Sequence, residues 1–213
     1  MKKFSLILLA LALANIAAQA QDQIGIKGGI NFANYGGDVI DNKVKPGIHL
    51  GAFLNFRIID ELYVQPELLY SLQGSHFKRS EVSLDYKEHL HYINLPILAR
   101  YYLTENISVH AGPYFGVLIS GKAKGNWYGT EINQNIDQVR SLKSFDFGLV
   151  AGIAYQLANR LNIGARLNLG VLNLSKNDNP VGGGGDGFEY EYNYDSNLTN
   201  RVIQVYVAMP LKN

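Results

Sequence analysis

The side chains with chemical potential are five histidines, a few serines and a scatter of charges in a chain of 213 residues. His49, His76, His89, His91 and His110 are candidate bases or metal ligands, and Ser75, Ser80 and Ser83 lie in the stretch before His89. A nucleophile must sit within hydrogen-bond reach of its base, and no complete hydrolase signature surrounds these serines. His89 and His91 are two apart, so on a strand they point the same way. Zinc takes three or four protein ligands, and a third is not evident.

The segment NPVGGGGDGFEYEYNYD (Asn179 to Asp195) alternates tyrosine with Glu189, Glu191 and Asp195 beyond a glycine run. It lacks the EF-hand spacing that would give calcium its six or more oxygens. Its GGGGDG is followed by no Lys-Ser/Thr and opens no helix, which excludes a phosphate-binding loop. It reads as a surface loop. These residues predict no enzyme, no catalytic set, no metal and no cofactor.

Composition narrows the class further. The formal net charge is +1, so there is no basic surplus to bind nucleic acid. Glycine (22) and tyrosine (14) are both abundant, which suits strands and turns better than helices. Cysteine is absent, which excludes a disulfide framework and the lipid-carrying cysteine of a lipoprotein. Residues 1–20 have the form of a cleaved signal peptide: Lys2 and Lys3, an apolar run from Phe4 to Ala14, then Ala18-Gln19-Ala20. The apolar run is far short of the ~20 residues of a spanning helix. The mature chain is expected to begin at Gln21, with one domain over 21–213.

The elements that must carry these side chains are strands. Apolar and polar residues alternate near 23–34, 46–57, 61–73, 89–103, 106–121, 143–157, 161–174 and 200–212. Most are long enough for the ~9–11 tilted residues that cross a bilayer. Tight links at Ile58-Ile59-Asp60, Thr104-Glu105 and Ala158-Asn159-Arg160 alternate with long ones at 35–45, 74–88, 122–142 and 175–199. That is the layout of an all-β, eight-stranded antiparallel up-and-down transmembrane barrel, with both termini at the tight-turn end.

The charges choose the face. Lys27, Arg57, Glu67, Arg100, Asp146 and Arg166 share a register with polar neighbours, while the intervening register is apolar except at strand ends such as Glu61 and Lys143. In the segment LNIGARLNLGVLNL, Arg166 alternates with Leu167 and Leu169. A soluble barrel would put charges outside and apolar residues within. Here the charges are predicted to form a lumen polar network, because an Arg or Lys facing lipid at the midplane costs about 2–4 kcal/mol. Aromatic girdles are predicted at Phe56, Tyr101 and Tyr155 beside the tight turns, and at Phe32, Tyr70 and Phe145 near the long loops. Phe145 and Tyr155 lie ten residues apart, about 25 Å along the membrane normal at ~3.3 Å per residue and ~40° tilt. Trp127 is read as a loop residue outside either girdle.

Several stretches together resemble one family. IGIKGGINFANYGG, GIHLGAFLNFRIIDELYVQPELLYSLQG, YINLPILARYYL, AGPYFGVLISG and FGLVAGIAYQLANRLNIGARLNLGVLNL resemble successive strands of the PorT-like, porin-like outer-membrane beta-barrel family of Bacteroidetes-type bacteria. The Gln-Pro-Glu of the third strand and the Leu-Pro of the fourth are the more telling features. The resemblance implies an eight-stranded outer-membrane barrel. The secretion role of the founding member is not carried over, since no motif here marks it. One departure is the C-terminus: many such barrels end in an aromatic, whereas this chain ends Pro210-Leu211-Lys212-Asn213 and Tyr206 is the nearest.

The expected protein is an integral barrel in the outer membrane of a Gram-negative bacterium, with a structural, surface-interaction or narrow-transport role and no wide pore. Its expected partners are outer-membrane lipid, the barrel assembly machinery and surface or secretion partners of unknown identity. A small barrel enzyme acting on lipid or peptide at the outer leaflet is the alternative. A soluble periplasmic ligand-binding barrel conflicts with the charge pattern.

Overall fold

The computed structural model describes residues 23–37, 42–80, 83–127, 129–139, 142–157, 160–176 and 197–211. Residues 1–20, expected to be a signal peptide, and the acidic glycine–tyrosine segment lie outside them.

Eight long strands carry the alternating pattern: β1 (Gln23–Gly37), β3 (Lys45–Arg57), β4 (Leu62–Gln73), β6 (Leu84–Tyr102), β7 (Ile107–Trp127), β9 (Phe145–Gln156), β10 (Asn162–Gly170) and β11 (Leu198–Pro210). Short elements in the long connections supply β2 (Asn42–Lys43), β5 (His76–Arg79), β8 (Thr130–Asn135) and a one-turn helix, α1 (Ile136–Val139). The long strands pair in the ring β6-β4-β3-β1-β11-β10-β9-β7, and β6 pairs with β7 to close it. All pairs are antiparallel. The first and last strands are neighbours, with Gly25 opposite Pro210 and the Leu211 amide donating to the Ile24 carbonyl at 2.7 Å. Closure leaves no unpaired edge, the condition for strands in hydrocarbon.

Burial alternates along the eight long strands. Ile48, Leu50, Leu68, Leu149, Ile153, Leu167, Leu169, Ile203, Val205 and Val207 are exposed on the wall, while Asn31, His49, Glu67, Ser71, Asn94, Arg166 and Gln204 are buried within. Eight strands give an interior just wide enough for side chains to fill. Backbone must give way where those side chains are large. A Cβ at Gly164 would lie 2.5 Å from the Tyr206 hydroxyl, and one at Gly152 would lie 2.5 Å from Arg166 Cβ and 2.7 Å from His110 Nε2. The inward glycines are the seats on which Tyr206, His110 and Arg166 rest.

The long connections hold more sheet than their sequence suggests. β6 starts at Leu84 and β7 runs to Trp127, so both extend past the wall. Trp127 is therefore the last residue of a strand, opposite Thr130 of β8, and not a loop residue. The sidedness of the sheet reverses in this extension. Its inner face is apolar: Tyr35, Phe77, Tyr86, Leu90, Tyr92, Ala123, Ile136, Leu142, Leu174 and Leu198 pack into one cluster. Its outer face is polar, with Lys87, Lys122 and Lys124 exposed. The reversal coincides with a register shift at His91/Tyr92, where Tyr92 pairs with Leu118 and His91 with Ser120. One extra residue on β7 moves every following side chain to the other face. The hydrocarbon therefore ends near this bulge.

Leu149 is 56% exposed, between Phe145 and Tyr155 on the lipid-facing wall. Leu149→Arg is expected to destabilise the barrel by about 2–4 kcal/mol, measured by denaturant unfolding in lipid vesicles. An unchanged midpoint would contradict the lipid-facing assignment of this wall.

Candidate functional site

The barrel interior is the most elaborately built polar site. Glu67 on β4 is its centre, with relative exposure of 1%. Its Oε1 accepts from Lys27 Nζ on β1 and from Gln65 Nε2 at 2.6 Å. Its Oε2 accepts from Arg166 Nη1 on β10 at 2.8 Å. One carboxylate thus bridges two cations from β1 and β10, the latter across the lumen from β4. The triad carries one surplus positive charge. Tyr206 helps to accommodate it: Lys27 Nζ lies 4.3 Å from the centre of its ring and Arg166 Cζ lies 5.7 Å away, within the range in which a π face attracts a cation. His110 packs edge-on to the same ring.

From this triad a neutral network leads toward the long-loop end. Arg166 Nε donates to Gln204 Oε1 at 2.6 Å, and Gln204 Nε2 donates to Asn31 Oδ1 at 2.7 Å. Asn31 Nδ2 donates to Ser71 Oγ at 3.0 Å, and His49 Nδ1 shares Asn31 Oδ1 at 2.7 Å. Asp146 lies further along. It accepts from the Tyr114 hydroxyl at 2.9 Å and from Asn200 Nδ2 at 2.8 Å. Its described partners are neutral donors, so it stands apart from the Lys27–Glu67–Arg166 triad. At the other end Arg100 donates to Ser108, Gln65 and Asn162 at 3.0, 3.2 and 2.7 Å. It forms the floor of an open cavity of about 610 Å³ at the tight-turn mouth, whose rim includes Asp60, Glu105 and Arg160.

Lys27, Glu67, Arg100, Asp146 and Arg166 all point into the lumen and are buried. Arg57 is a correction. It lies beyond the lumen at the end of β3, where its exposed side chain pairs with the exposed Asp60 of the adjoining turn. Alternation continues up to Arg57, but the chain turns there and water replaces the enclosed cavity.

Phe32, Tyr101, Phe145 and Tyr155 are exposed on the outer wall, and Phe56 and Tyr70 lie half-buried on it. Tyr70 joins membrane to water: its hydroxyl meets His91 Nδ1 at 2.6 Å. Phe115 and Phe147, absent from the girdle expectation, pack with Phe145 on the wall at 5.2–6.5 Å between ring centres. Their inclusion needed the β7–β9 register, which puts Phe115 opposite Phe147. His89 and His91 do share the outer face, and His91 is held by Tyr70. His76 Nε2 meets Asp85 Oδ1 at 2.8 Å, and Asp85 also pairs with Lys78. These hydrogen bonds hold the Asp85 carboxyl below its usual range.

A closed eight-stranded sheet, apolar outside and ion-paired inside, defines a membrane-spanning barrel. Residues 18–176 match the outer membrane protein beta-barrel domain family, and the chain belongs to that family. It resides in the outer membrane of a Gram-negative bacterium. No curated protein matches the chain by sequence. The crystal structure of Neisserial surface protein A superposes with a TM-score of 0.50 at 11% identity, over 87% of this chain and 96% of that one, and shares its fold. Ail, the attachment invasion locus protein of Yersinia pestis, gives 0.46 at 11% identity over 89% and 98% of the two chains. OprG from Pseudomonas aeruginosa gives 0.45 at 14% identity over 91% and 97%.

Removing Glu67 leaves two buried cations without their shared counter-ion. Glu67→Ala is expected to cost about 3–5 kcal/mol of unfolding free energy, read by denaturant titration in vesicles. Adding Lys27→Met and Arg166→Met to that variant is expected to recover much of the loss. A Glu67→Ala barrel as stable as the parent would show that the triad contributes nothing to stability.

Proposed function

We propose that the protein works as a plugged, non-enzymatic barrel with a structural or surface-interaction role, any transport being confined to a narrow path. The observation that carries this reading is the filled lumen. Ion-paired and hydrogen-bonded side chains cross it from Arg100 to Asp146, and the apolar cluster around Leu90, Tyr92 and Leu174 covers its outer end. A hydrated ion would have to break the Lys27–Glu67–Arg166 triad and then enter an apolar layer. The non-catalytic part of the proposal is supported by the partners of three histidines: among the described residues His49 meets Asn31, His91 meets Tyr70 and His76 meets Asp85, and none of the three hydrogen-bonds to a serine. Within the wider family the proposal places the chain among the PorT-like barrels, on the Gln65-Pro66-Glu67 and Leu95-Pro96 motifs.

Planar-bilayer recordings of the purified full-length protein test the plug. The expected trace is silent or shows only brief, small openings. A steady, large conductance would overturn the proposal.

The first twenty residues are proposed to be removed on export. Mass spectrometry of protein extracted from outer membranes is expected to find a mature chain starting at Gln21. A chain retaining Met1 would refute cleavage.

A further inference from the structure

The extension beyond the bulge presents an unusual outer face. Strand pairing sets Lys43 opposite His76, His76 opposite Lys87, Lys87 opposite Lys124, and Lys124 opposite Asn133. This single row crosses five strands, about 19 Å at ~4.8 Å per strand. The next row toward the membrane sets His89 opposite Lys122, and Lys122 opposite Asn135. Like charges directly opposite each other destabilise a sheet, and Lys87 faces Lys124 directly. Among the described residues, none of Lys43, Lys87, Lys122 and Lys124 has an ion pair. Of the described acids beyond the bulge, Glu88 is buried inside against the Tyr35 hydroxyl, Asp85 is taken by His76 and Lys78, Glu131 stands a row further out, two residues before Asn133, and Asp137 stands on α1, past the end of β8. The local field is strong enough to act on His89: partial burial, then Lys45, Lys124, His91 and Lys87, push its pKa down to about 4.

The position of this face limits what can neutralise it. It continues the lipid-facing wall upward on the same two strands. Ile93 pairs with Val117, which pairs with the wall residue Phe145. His89 lies four residues beyond Ile93 and Lys87 six. At ~3.3 Å per residue and ~40° tilt they stand about 10 and 15 Å above that level. A phospholipid interface is only about 5–8 Å deep on each side. The lower row stands just above such headgroups, and the upper row is well beyond them. A lipid-anchored ligand of the outer leaflet that meets both rows must carry negative charge on a headgroup taller than a phospholipid's.

We infer that the outward face formed by Lys43, Lys87, Lys122 and Lys124 binds the phosphorylated saccharide headgroup of an outer-leaflet glycolipid. The acyl chains would lie on the apolar wall below, against Ile93, Val117 and Phe115, while the phosphates neutralise the lysine rows. This inference supplies a ligand for the surface-interaction role proposed above. It can fail independently, because conductance tests the plug and binding tests the lysines.

The test uses the full-length protein in a zwitterionic detergent, titrated with lipopolysaccharide, with phosphatidylcholine vesicles and heparin as comparison ligands. Parent protein is compared with the combined Lys87→Gln, Lys122→Gln, Lys124→Gln variant and with the matching Lys→Arg variant. All three changed positions are exposed, and heat-modifiable gel migration verifies that each variant is folded. Each basic residue beside an anionic membrane surface contributes about fivefold in affinity, so the Gln variant is expected to bind lipopolysaccharide roughly 100-fold more weakly. It should also show a shallower salt dependence, and the Arg variant should retain binding. Equal affinity of parent and Gln variant for lipopolysaccharide overturns the inference. Lysine-dependent binding of heparin without binding of lipopolysaccharide overturns it as well.

Discussion

Hydrocarbon offers a peptide group no hydrogen-bond partner, and the rest of the molecule follows from that constraint. A sheet in such a solvent must close on itself, as β1 and β11 do and as β6 and β7 do. Closing at eight strands fixes a lumen of side-chain width. Its inward register carries the buried charges and their polar neighbours, together with small apolar clusters around Phe53 and Leu98. Gln204, Ser71 and His49 hydrogen-bond to Asn31 there, and Lys27, Glu67 and Arg166 form the ion triad.

A buried ion triad is a poor source of stability, since desolvation offsets most of the Coulomb attraction. Its value here is positional. Glu67 can serve both cations only if β1, β4 and β10 hold their registers, and a slip of one residue on any of them would also put apolar side chains into the lumen and a charge into lipid. The surplus positive charge explains the placement of Tyr206, whose ring faces both Lys27 and Arg166. It also explains why a glycine stands at 164, where a Cβ would collide with the tyrosine hydroxyl.

The same two strands obey two solvents in turn. Below the bulge, β6 and β7 show Ile93, Leu95, Val117 and Phe115 to lipid. Above it, they tuck Leu90 and Ala123 inside and show Lys87, His89, Lys122 and Lys124 to the exterior. One added residue on β7 accomplishes the change on that strand. On β6 the composition alone changes, with apolar outward positions giving way to basic ones. The apolar cluster lies above the lumen charges on the inside, while the lysines stand on the exterior of the same strands.

The alternation of residue types determined the fold by itself: eight strands, tight turns at one end, charges inward and leucines outward. Period-two patterning is a local property, and any chain that repeats it with few helix signals has a narrow choice of architectures. Even so, the sequence misplaced Arg57, because alternation persists to the last residue of a strand while the enclosing wall has already ended. It also read the long connections as loops, because β2, β5 and β8 are too short to show a period of their own. The partners of each inward charge were beyond its reach: Glu67 meets Lys27 and Arg166 across 40 and 99 residues, while Asp146 meets Tyr114 and Asn200 and stands apart from any described cation. The row of basic side chains across five strands was equally hidden, since it exists only once the β6–β7 register is fixed. Sequence determines which face a residue takes, because that depends on its neighbours in the chain; only closure of the sheet decides what it meets there, because that depends on the stagger of strands far apart in the chain.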